Sequence, residues 1–217
     1  MNYIVSYPRS GNTWLRYIIE YLSNQPTNGL IDKPNKYDKL QKPLLINGDN
    51  YIAYKLHSFD PKITNRDKVI LIIRNYKECI IRHNKDKRGY DFELFQKHNQ
   101  GKKDDYIGMI KQYHHFNGEK MHIYYEDLIN DYHLEKICYQ LCQFLDIPDS
   151  EVNNLLDNLE SIKKNSLCLY PRSKTKGKGP IYHSNLLKKA EAISWDMYLH
   201  INYPKLFELY LRRYREK

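Results

Sequence analysis

The feature that most constrains this chain is a strand, a short turn and a helix within residues 2–24. Tyr3–Val5 is a run of aromatic and β-branched residues, which predicts a buried strand. Pro8 and Gly11 then break that strand. From Asn12 onward apolar residues recur at steps of three and four, which predicts an amphipathic helix. Those apolar residues are Trp14, Leu15, Ile18, Ile19 and Leu22.

This order of elements favours an anion site at the start of the helix. The first N–H groups of a helix lack internal partners, and the helix dipole places partial positive charge there. Gly11 allows close approach of an anion, Arg9 adds a cation, and Ser10, Asn12 and Thr13 add polar side chains. The alternative is an ordinary turn in which Asn or Thr only caps the helix. No Gly-Lys-Ser/Thr follows, so the turn is not the usual nucleotide P-loop.

Composition predicts one domain over residues 1–217 with an anionic partner. A hydrophobic share of 41% is enough for a core. The formal charge of +9 favours nucleic acid, an acidic membrane surface or a phosphorylated nucleotide. The basic residues do not form one long tail, which weakens the first two of these.

The cysteines and the N-terminus indicate a cytoplasmic protein. The four cysteines include no CxxC pair, so neither a zinc site nor a disulfide scaffold is predicted. The first strand begins at residue 2, which leaves no room for a signal peptide, and no apolar run has the length of a membrane span. We therefore expect a reduced, cytoplasmic compartment.

Two further strands carry polar side chains near their carboxyl ends. Residues 51–58 have strand composition, and Lys55 and His57 point to one face of that strand. Such a pair can do proton and charge chemistry, or it can be solvated surface. The run from Lys68 to Ile73 is the clearest buried strand and is typical of a parallel sheet. Arg74 follows it, where open α/β sheets bind ligands.

The remaining segments alternate between helical and irregular patterns. Residues 25–50 are predicted to be irregular with one short helix, and residues 84–105 to be a polar excursion with a short amphipathic piece at 92–95. Residues 161–180 are basic and contain glycine, which predicts a flexible loop. Helices are predicted at 106–116, 132–145, 150–159 and 186–214, with a break at Pro204 in the last.

The turn resembles a motif of a known family. Tyr7-Pro8-Arg9-Ser10-Gly11-Asn12-Thr13-Trp14-Leu15 is similar to the 5′-phosphosulfate loop of the cytosolic-type sulfotransferases, usually Y-P-K-S-G-T-T-W-L. Those enzymes transfer a sulfuryl group from 3′-phosphoadenosine 5′-phosphosulfate (PAPS) to an acceptor. Here Arg9 stands in place of Lys and Asn12 in place of Thr.

Other pieces of the same family follow in order along the chain. Lys55 and His57 match the ends of the family's K-T-H, whose His is the general base. Arg74 matches an Arg that holds the 3′-phosphate together with a later Ser, and Arg82 occupies that Ser position. Residues 124–128 resemble the Y-E-D-L segment, in which the Tyr at position 125 contacts adenine. Lys176 and Gly177 align loosely with the R-K-G loop over the 3′-phosphate.

The resemblance implies a fold and a mechanism. The fold would be α/β, a P-loop-like parallel sheet flanked by helices on both faces. His57 would be the general base, assisted by Lys55 and Arg9, in an in-line transfer to a hydroxyl or amine of a small-molecule or carbohydrate acceptor. PAPS would be the co-substrate and PAP the product, with no metal, nucleic acid or membrane involved. The implied nucleotide-binding residues are Arg9, Ser10, Gly11, Asn12, Thr13, Trp14, Arg74, Arg82, Tyr125, Lys176 and Gly177.

Two other functions remain open from the residues alone. A small P-loop-like kinase using ATP fits the strand–turn–helix order, although the missing Gly-Lys-Ser/Thr argues against it. A non-catalytic basic domain that binds nucleic acid fits the charge and the 163–180 segment.

Overall fold

The computed structural model describes residues 1–29, 50–83, 92–168 and 187–216. A five-stranded sheet lies at the centre, in the order β2-β3-β1-β4-β5, and all of its strand pairs are parallel. The strands are β1 (Asn2–Ser6), β2 (Thr27–Gly29), β3 (Ala53–Leu56), β4 (Lys68–Ile73) and β5 (Glu119–Tyr124).

Helices cover both faces of this sheet. The described helices are α1 (Asn12–Ser23), α2 (Tyr76–His83), α3 (Phe92–Lys97), α4 (Tyr106–His115), α5 (Tyr125–Leu128), α6 (Asp131–Leu145), α7 (Val152–Asp157), α8 (Leu159–Cys168), α9 (Lys189–Asn202) and α10 (Pro204–Leu206). A π-helical turn, Phe207–Leu211, and a 3₁₀ turn, Arg212–Tyr214, follow α10.

The buried strands divide the apolar residues between two core layers. Val5, Leu71 and Ile73 pack with α2, α4 and α9 on one face, while Ile70 and Ile72 pack with α1 and α6 on the other. Successive strand residues point to opposite faces, so a strand covered on both sides must be apolar throughout. The core thus lies in two layers, one above and one below the sheet.

Most predicted elements are confirmed, with three differences. The predicted strand at 51–58 is shorter, Ala53–Leu56, and the strand β2 lies at 27–29, where irregular structure was expected. Residues 27–29 form a strand because they pair with β3, so their own sequence pattern does not predict β2. The prediction of a loop from residue 161 is wrong up to residue 168, because α8 continues through those residues. Residues 30–49, 84–91 and 169–186 lie outside the described part of the chain.

Candidate active site

The carboxyl ends of four strands meet along one edge of the sheet. The register pairs Val5 with Leu56, Ser6 with Ile72, and Ile73 with Tyr124. The residues that directly follow β1, β3, β4 and β5 therefore lie side by side. The connection after β1 runs toward the β2 edge of the sheet, and the connection after β4 runs toward the β5 edge. The strand order therefore reverses between β1 and β4, and open α/β sheets bind ligands at such a point.

The turn after β1 has two residues in the left-handed region. The N–H of Ser10 donates to the carbonyl oxygen of Tyr7 at 3.2 Å, with Pro8 and Arg9 between them. Pro8 before a residue at φ +74°, Arg9, makes this a type II turn, whose third position usually holds Gly or Asn. Gly11 follows at φ +90°. Alternating left-handed residues point N–H groups into one concavity, the arrangement that binds anions.

The start of α1 keeps its main-chain donors available. Within the described part of the chain, the N–H groups of Gly11, Asn12 and Thr13 donate to no backbone acceptor, and no side chain caps the helix. The side chain of Arg9 is exposed and forms no ion pair with a described carboxylate. The turn therefore presents the helix donors and one guanidinium together.

Tyr125 links this turn to Arg74. A Cβ placed on Gly11 would lie 2.1 Å from Cδ2 of Tyr125, so the ring occupies the space that only glycine leaves. The guanidinium of Arg74 lies over the same ring, 4.2 Å from its centre. Arg74 Nη1 also donates to the carbonyl oxygen of Arg9 at 2.9 Å. The turn after β1 and the residue after β4 are thus held together directly.

Ser6, the last residue of β1, joins His57 to the helix start. His57 Nδ1 lies 3.0 Å from the carbonyl oxygen of Ser6. A carbonyl oxygen only accepts, so Nδ1 carries the proton and Nε2 keeps its lone pair in the neutral ring. The Ser6 hydroxyl accepts a hydrogen bond from Asn12 Nδ2 at 2.8 Å.

The environment lowers the pKa of both His57 and Lys55. Burial, followed by the positive charge of Lys55, lowers the pKa of His57 to about 4. Burial, followed by the charge of Arg16, lowers the pKa of Lys55 to about 8. At neutral pH the pair is consequently a neutral imidazole beside a charged ammonium.

Three residues spaced by four along α2 and its entry form a charged ladder. Glu78 is 1% exposed, and its Oε1 lies 3.7 Å from Arg74 Nη2 and 3.6 Å from Arg82 Nη1. Burial, and then the charge of Arg74, lowers the pKa of Arg82. The two guanidinium groups therefore share one buried carboxylate, and they form a second cationic region beside the turn.

The other predicted residues have mixed settings. The Ser10 hydroxyl lies 3.4 Å from Cys79 Sγ, inside the protein, and the Thr13 side chain is half-buried. Trp14 donates from Nε1 to the carbonyl oxygen of Leu128 at 3.2 Å, and its ring stacks on Tyr17. Lys176 and Gly177 lie outside the described residues.

Four residues that support the site are not among the site residues predicted from the sequence. Ser6 holds His57, Glu78 pairs with both Arg74 and Arg82, and Tyr106 donates to the carbonyl oxygen of Arg74 at 2.6 Å. Glu126 accepts the N–H of Asn75 at 3.1 Å, at the start of α2. The only advance sign was the position of Glu126 beside Tyr125 at a strand exit.

No candidate metal cluster occurs in the described ranges, which contain no group of three or more His, Cys, Asp and Glu side chains suited to one. None of the helices seen in these ranges is long and apolar enough to cross a bilayer.

A parallel sheet with this turn after β1, a lysine near the end of β3 and an arginine directly after β4 defines an α/β protein of the P-loop-like class. The chain belongs to the sulfotransferase domain family, whose sequence profile matches residues 3–215. Family membership supports a sulfotransferase enzyme.

A solved structure shows the same fold. Mouse sulfotransferase SULT7A1, complexed with PAP, superposes with a TM-score of 0.52 at 15% sequence identity. The alignment covers 97% of this chain and 84% of the mouse chain. At this identity the likeness shows the fold alone. A search of curated protein sequences gives no significant match.

Proposed function

We propose that this protein transfers a sulfuryl group from PAPS to a hydroxyl or amine of a small-molecule or carbohydrate acceptor, with His57 as the general base. The observation that carries the proposal is the hydrogen bond from His57 Nδ1 to Ser6, 3.0 Å long. It leaves Nε2 as the basic nitrogen of a ring held against Ser6, the last residue of β1, which leads into the turn whose N–H groups are available for an anion.

The residues present fit a donor nucleotide with phosphates at both ends. The N–H groups of Gly11, Asn12 and Thr13, with the Arg9 side chain, would hold the 5′-phosphosulfate, while the buried Ser10 hydroxyl packs against Cys79 under the turn. Arg74 and Arg82 would hold the 3′-phosphate with Lys176 and Gly177. This assignment is supported by the family and by the PAP complex of the mouse relative.

Two aromatic residues would contact the adenine. They are Trp14, which is half-buried at the start of α1, and Tyr125, which lies between Gly11 and Arg74. Stacking of a base on an aromatic ring is worth about 1–3 kcal/mol. The Tyr125 ring lies against Gly11, and Trp14 follows Gly11 by three residues, so we expect a nucleotide held at the turn by its phosphates to reach both.

His57 and Lys55 would divide the chemistry between them. His57 Nε2 takes the proton of the acceptor hydroxyl or amine as the acceptor oxygen or nitrogen attacks the sulfur atom of PAPS. This step requires the neutral imidazole that burial maintains. Lys55 stabilises developing negative charge, together with Arg9. PAPS supplies the activated sulfuryl group, and PAP leaves with the electrons of the broken S–O bond.

The proposal includes a cytoplasmic location. Cys79, Cys138 and Cys142, in the described part of the chain, are buried free thiols. Free thiols are usual in a reducing compartment.

The test is transfer of label from PAPS to a panel of phenols, alcohols, sugars and amines, with PAP release followed in parallel. We expect acceptor-dependent PAP formation, and PAP binding that exceeds binding of ATP with magnesium. Absence of transfer to every acceptor class, or preference for ATP with magnesium, would overturn the proposal. Steeply salt-dependent binding of DNA or RNA without nucleotide preference would favour a nucleic-acid-binding domain instead.

A further inference from the structure

The last described residues, 212–216, contact the two chain segments that carry Arg74 and Tyr125. We call residues 212–216 the C-terminal strap. It contains the 3₁₀ turn Arg212–Tyr214 and the two residues after it. Arg212 pairs with Glu208 in the preceding turn, whereas Arg213, Tyr214 and Glu216 contact α9 and the segments at 75–77 and 124–127.

The first contact is a relay through one carboxylate. The Tyr214 hydroxyl donates to Glu126 Oε2 at 2.6 Å. The other oxygen of the same group, Oε1, accepts the N–H of Asn75 at 3.1 Å. Glu126 directly follows Tyr125 and Asn75 directly follows Arg74, so one side chain of the strap fixes both neighbours.

The second contact is a two-pronged ion pair. Arg213 Nη1 and Nη2 each lie 2.8 Å from a carboxylate oxygen of Asp127. The hydrogen bonds from Arg213 lower the pKa of Asp127, so this pair is charged at neutral pH. The Arg213 guanidinium also lies over the Tyr124 ring at 4.3 Å. The strap therefore contacts Tyr124 and Asp127, which lie on either side of Tyr125 and Glu126 in the sequence.

The third contact buries an ammonium group. Lys77 is 1% exposed, and its Nζ donates to the carbonyl oxygen of Tyr214 at 2.9 Å and to Glu216 Oε1 at 3.1 Å. The N–H of Glu216 donates to Asp196 Oδ2 at 2.7 Å, and Asp196 Oδ1 lies 2.9 Å from the same Nζ. A buried charge requires such partners, so α2, α9 and the strap are held as one unit.

We propose that the C-terminal strap positions Arg74 and Tyr125 for donor binding, with Tyr214 and Glu126 as the positioning residues. This inference rests on the proposed function for its ligand. Arg74 lies against Tyr125 and against the turn at Arg9, and it makes these contacts from a backbone position next to Asn75. When the Tyr214–Glu126–Asn75 relay is broken, both partners gain freedom, and ordering them again opposes nucleotide binding.

The experiment compares Tyr214→Phe, Glu126→Gln and the double variant, with Tyr210→Phe as the matched control. Tyr210 lies in the same C-terminal region, but its hydroxyl contacts His114 at 3.1 Å, away from the relay. The probe is PAP, titrated by calorimetry against each full-length variant. We expect Tyr214→Phe to weaken PAP binding about three- to tenfold, and the double variant to lose little more than Glu126→Gln alone.

Steady-state kinetics distinguishes a role of the strap in positioning Arg74 and Tyr125 from a general loss of active structure. The KM for PAPS should rise by a similar factor, whereas kcat at saturating PAPS should remain within about twofold, because the strap makes no described contact with His57 or Lys55. An equal loss in kcat, or additive losses in the double variant, would overturn the proposal.

Amide hydrogen exchange tests the strap without any ligand. We expect Tyr214→Phe, but not Tyr210→Phe, to speed exchange in peptides covering residues 74–78 and 125–130. Unchanged exchange there would overturn the inference, as would faster exchange with unchanged PAP affinity. A wild-type protein that binds no PAP would refute the proposed function, and the exchange data would then decide the strap alone.

Discussion

His57 Nδ1 is hydrogen-bonded to the carbonyl oxygen of Ser6, 51 positions earlier in the chain, at 3.0 Å. Ser6 ends β1 and its hydroxyl is bound to Asn12 at the start of α1. One serine therefore fixes both the tautomer of the proposed base and the position of the helix terminus. The geometry couples the proton acceptor to the anion-binding turn through the backbone of the central strand.

Replacement of His57 by Ala should reduce turnover by about 10²–10⁴-fold, the usual contribution of a general base. PAP affinity should be retained, because the nucleotide contacts proposed here do not include the imidazole. His115→Ala is the matched control, since His115 is an exposed histidine bound to the carbonyl oxygen of Lys111. Undiminished turnover in His57→Ala would show that the base is another residue.

The pH profile of kcat/KM should be broad and limited on both sides. His57 must be neutral to accept a proton, so activity is lost as pH falls through its pKa of about 4. Lys55 must be charged to stabilise negative charge, so activity is lost as pH rises through its pKa of about 8. Lys55→Arg should remove the alkaline limb whatever its residual rate, because arginine stays protonated. An alkaline limb that persists in this variant would assign it to another group.

Gly11→Ala should abolish PAP binding. The new Cβ would meet the Tyr125 ring at 2.1 Å, and Gly11 has φ +90°. Gly101→Ala is the matched control, because Gly101 has φ +76° but its added Cβ would be 3.1 Å from the flexible end of Tyr203. Both variants should lose about 1–2 kcal/mol of folding stability from backbone strain, and only the first should lose the nucleotide. Equal PAP affinity in both would refute the role of the turn.

Arg74→Lys should weaken PAP binding by more than about tenfold. Lysine loses the planar contact with the Tyr125 ring, and it cannot donate two parallel N–H groups to the 3′-phosphate. Arg82→Ser should weaken it less, since Arg82 is more exposed and shares Glu78 with Arg74. Arg66→Lys, at an exposed site before the amino end of β4, should leave affinity unchanged. Calorimetry at one fixed salt concentration measures all three, and a larger loss in Arg82→Ser than in Arg74→Lys would contradict the assignment.

A buried ion pair on α1 gives a stability prediction. Arg16 and Glu20 are both 0% exposed, 3.9 Å apart, and Arg16 Nε donates to the Thr27 hydroxyl of β2 at 2.8 Å. Arg16→Met should lower the free energy of unfolding by about 3–5 kcal/mol, because it leaves the Glu20 carboxylate buried without its cation. Arg16→Met/Glu20→Leu should recover most of that loss in urea denaturation. A double variant as unstable as the single would show that packing, and not charge, sets the effect.

Local residue patterns were sufficient for the main elements. The run from Lys68 to Ile73 is β4 because a strand buried on both faces is apolar throughout, and Pro204 begins a new helix because it cannot continue the previous one. The turn could be predicted because Pro8 and Gly11 restrict the backbone within a few residues. The same locality explains why residues 27–29 were missed, since only pairing with β3 makes them a strand.

The sequence by itself determined the parallel α/β fold, and it named the residues whose roles at the candidate site are proposed here. Only the tertiary structure decided which side chains support those residues. The bonds from His57 to Ser6, from Glu126 to Asn75 and from Tyr214 to Glu126 join residues 51, 51 and 88 positions apart. Propensity and periodicity act over a few residues, whereas these contacts exist only once the strands have paired and the helices have packed on the sheet.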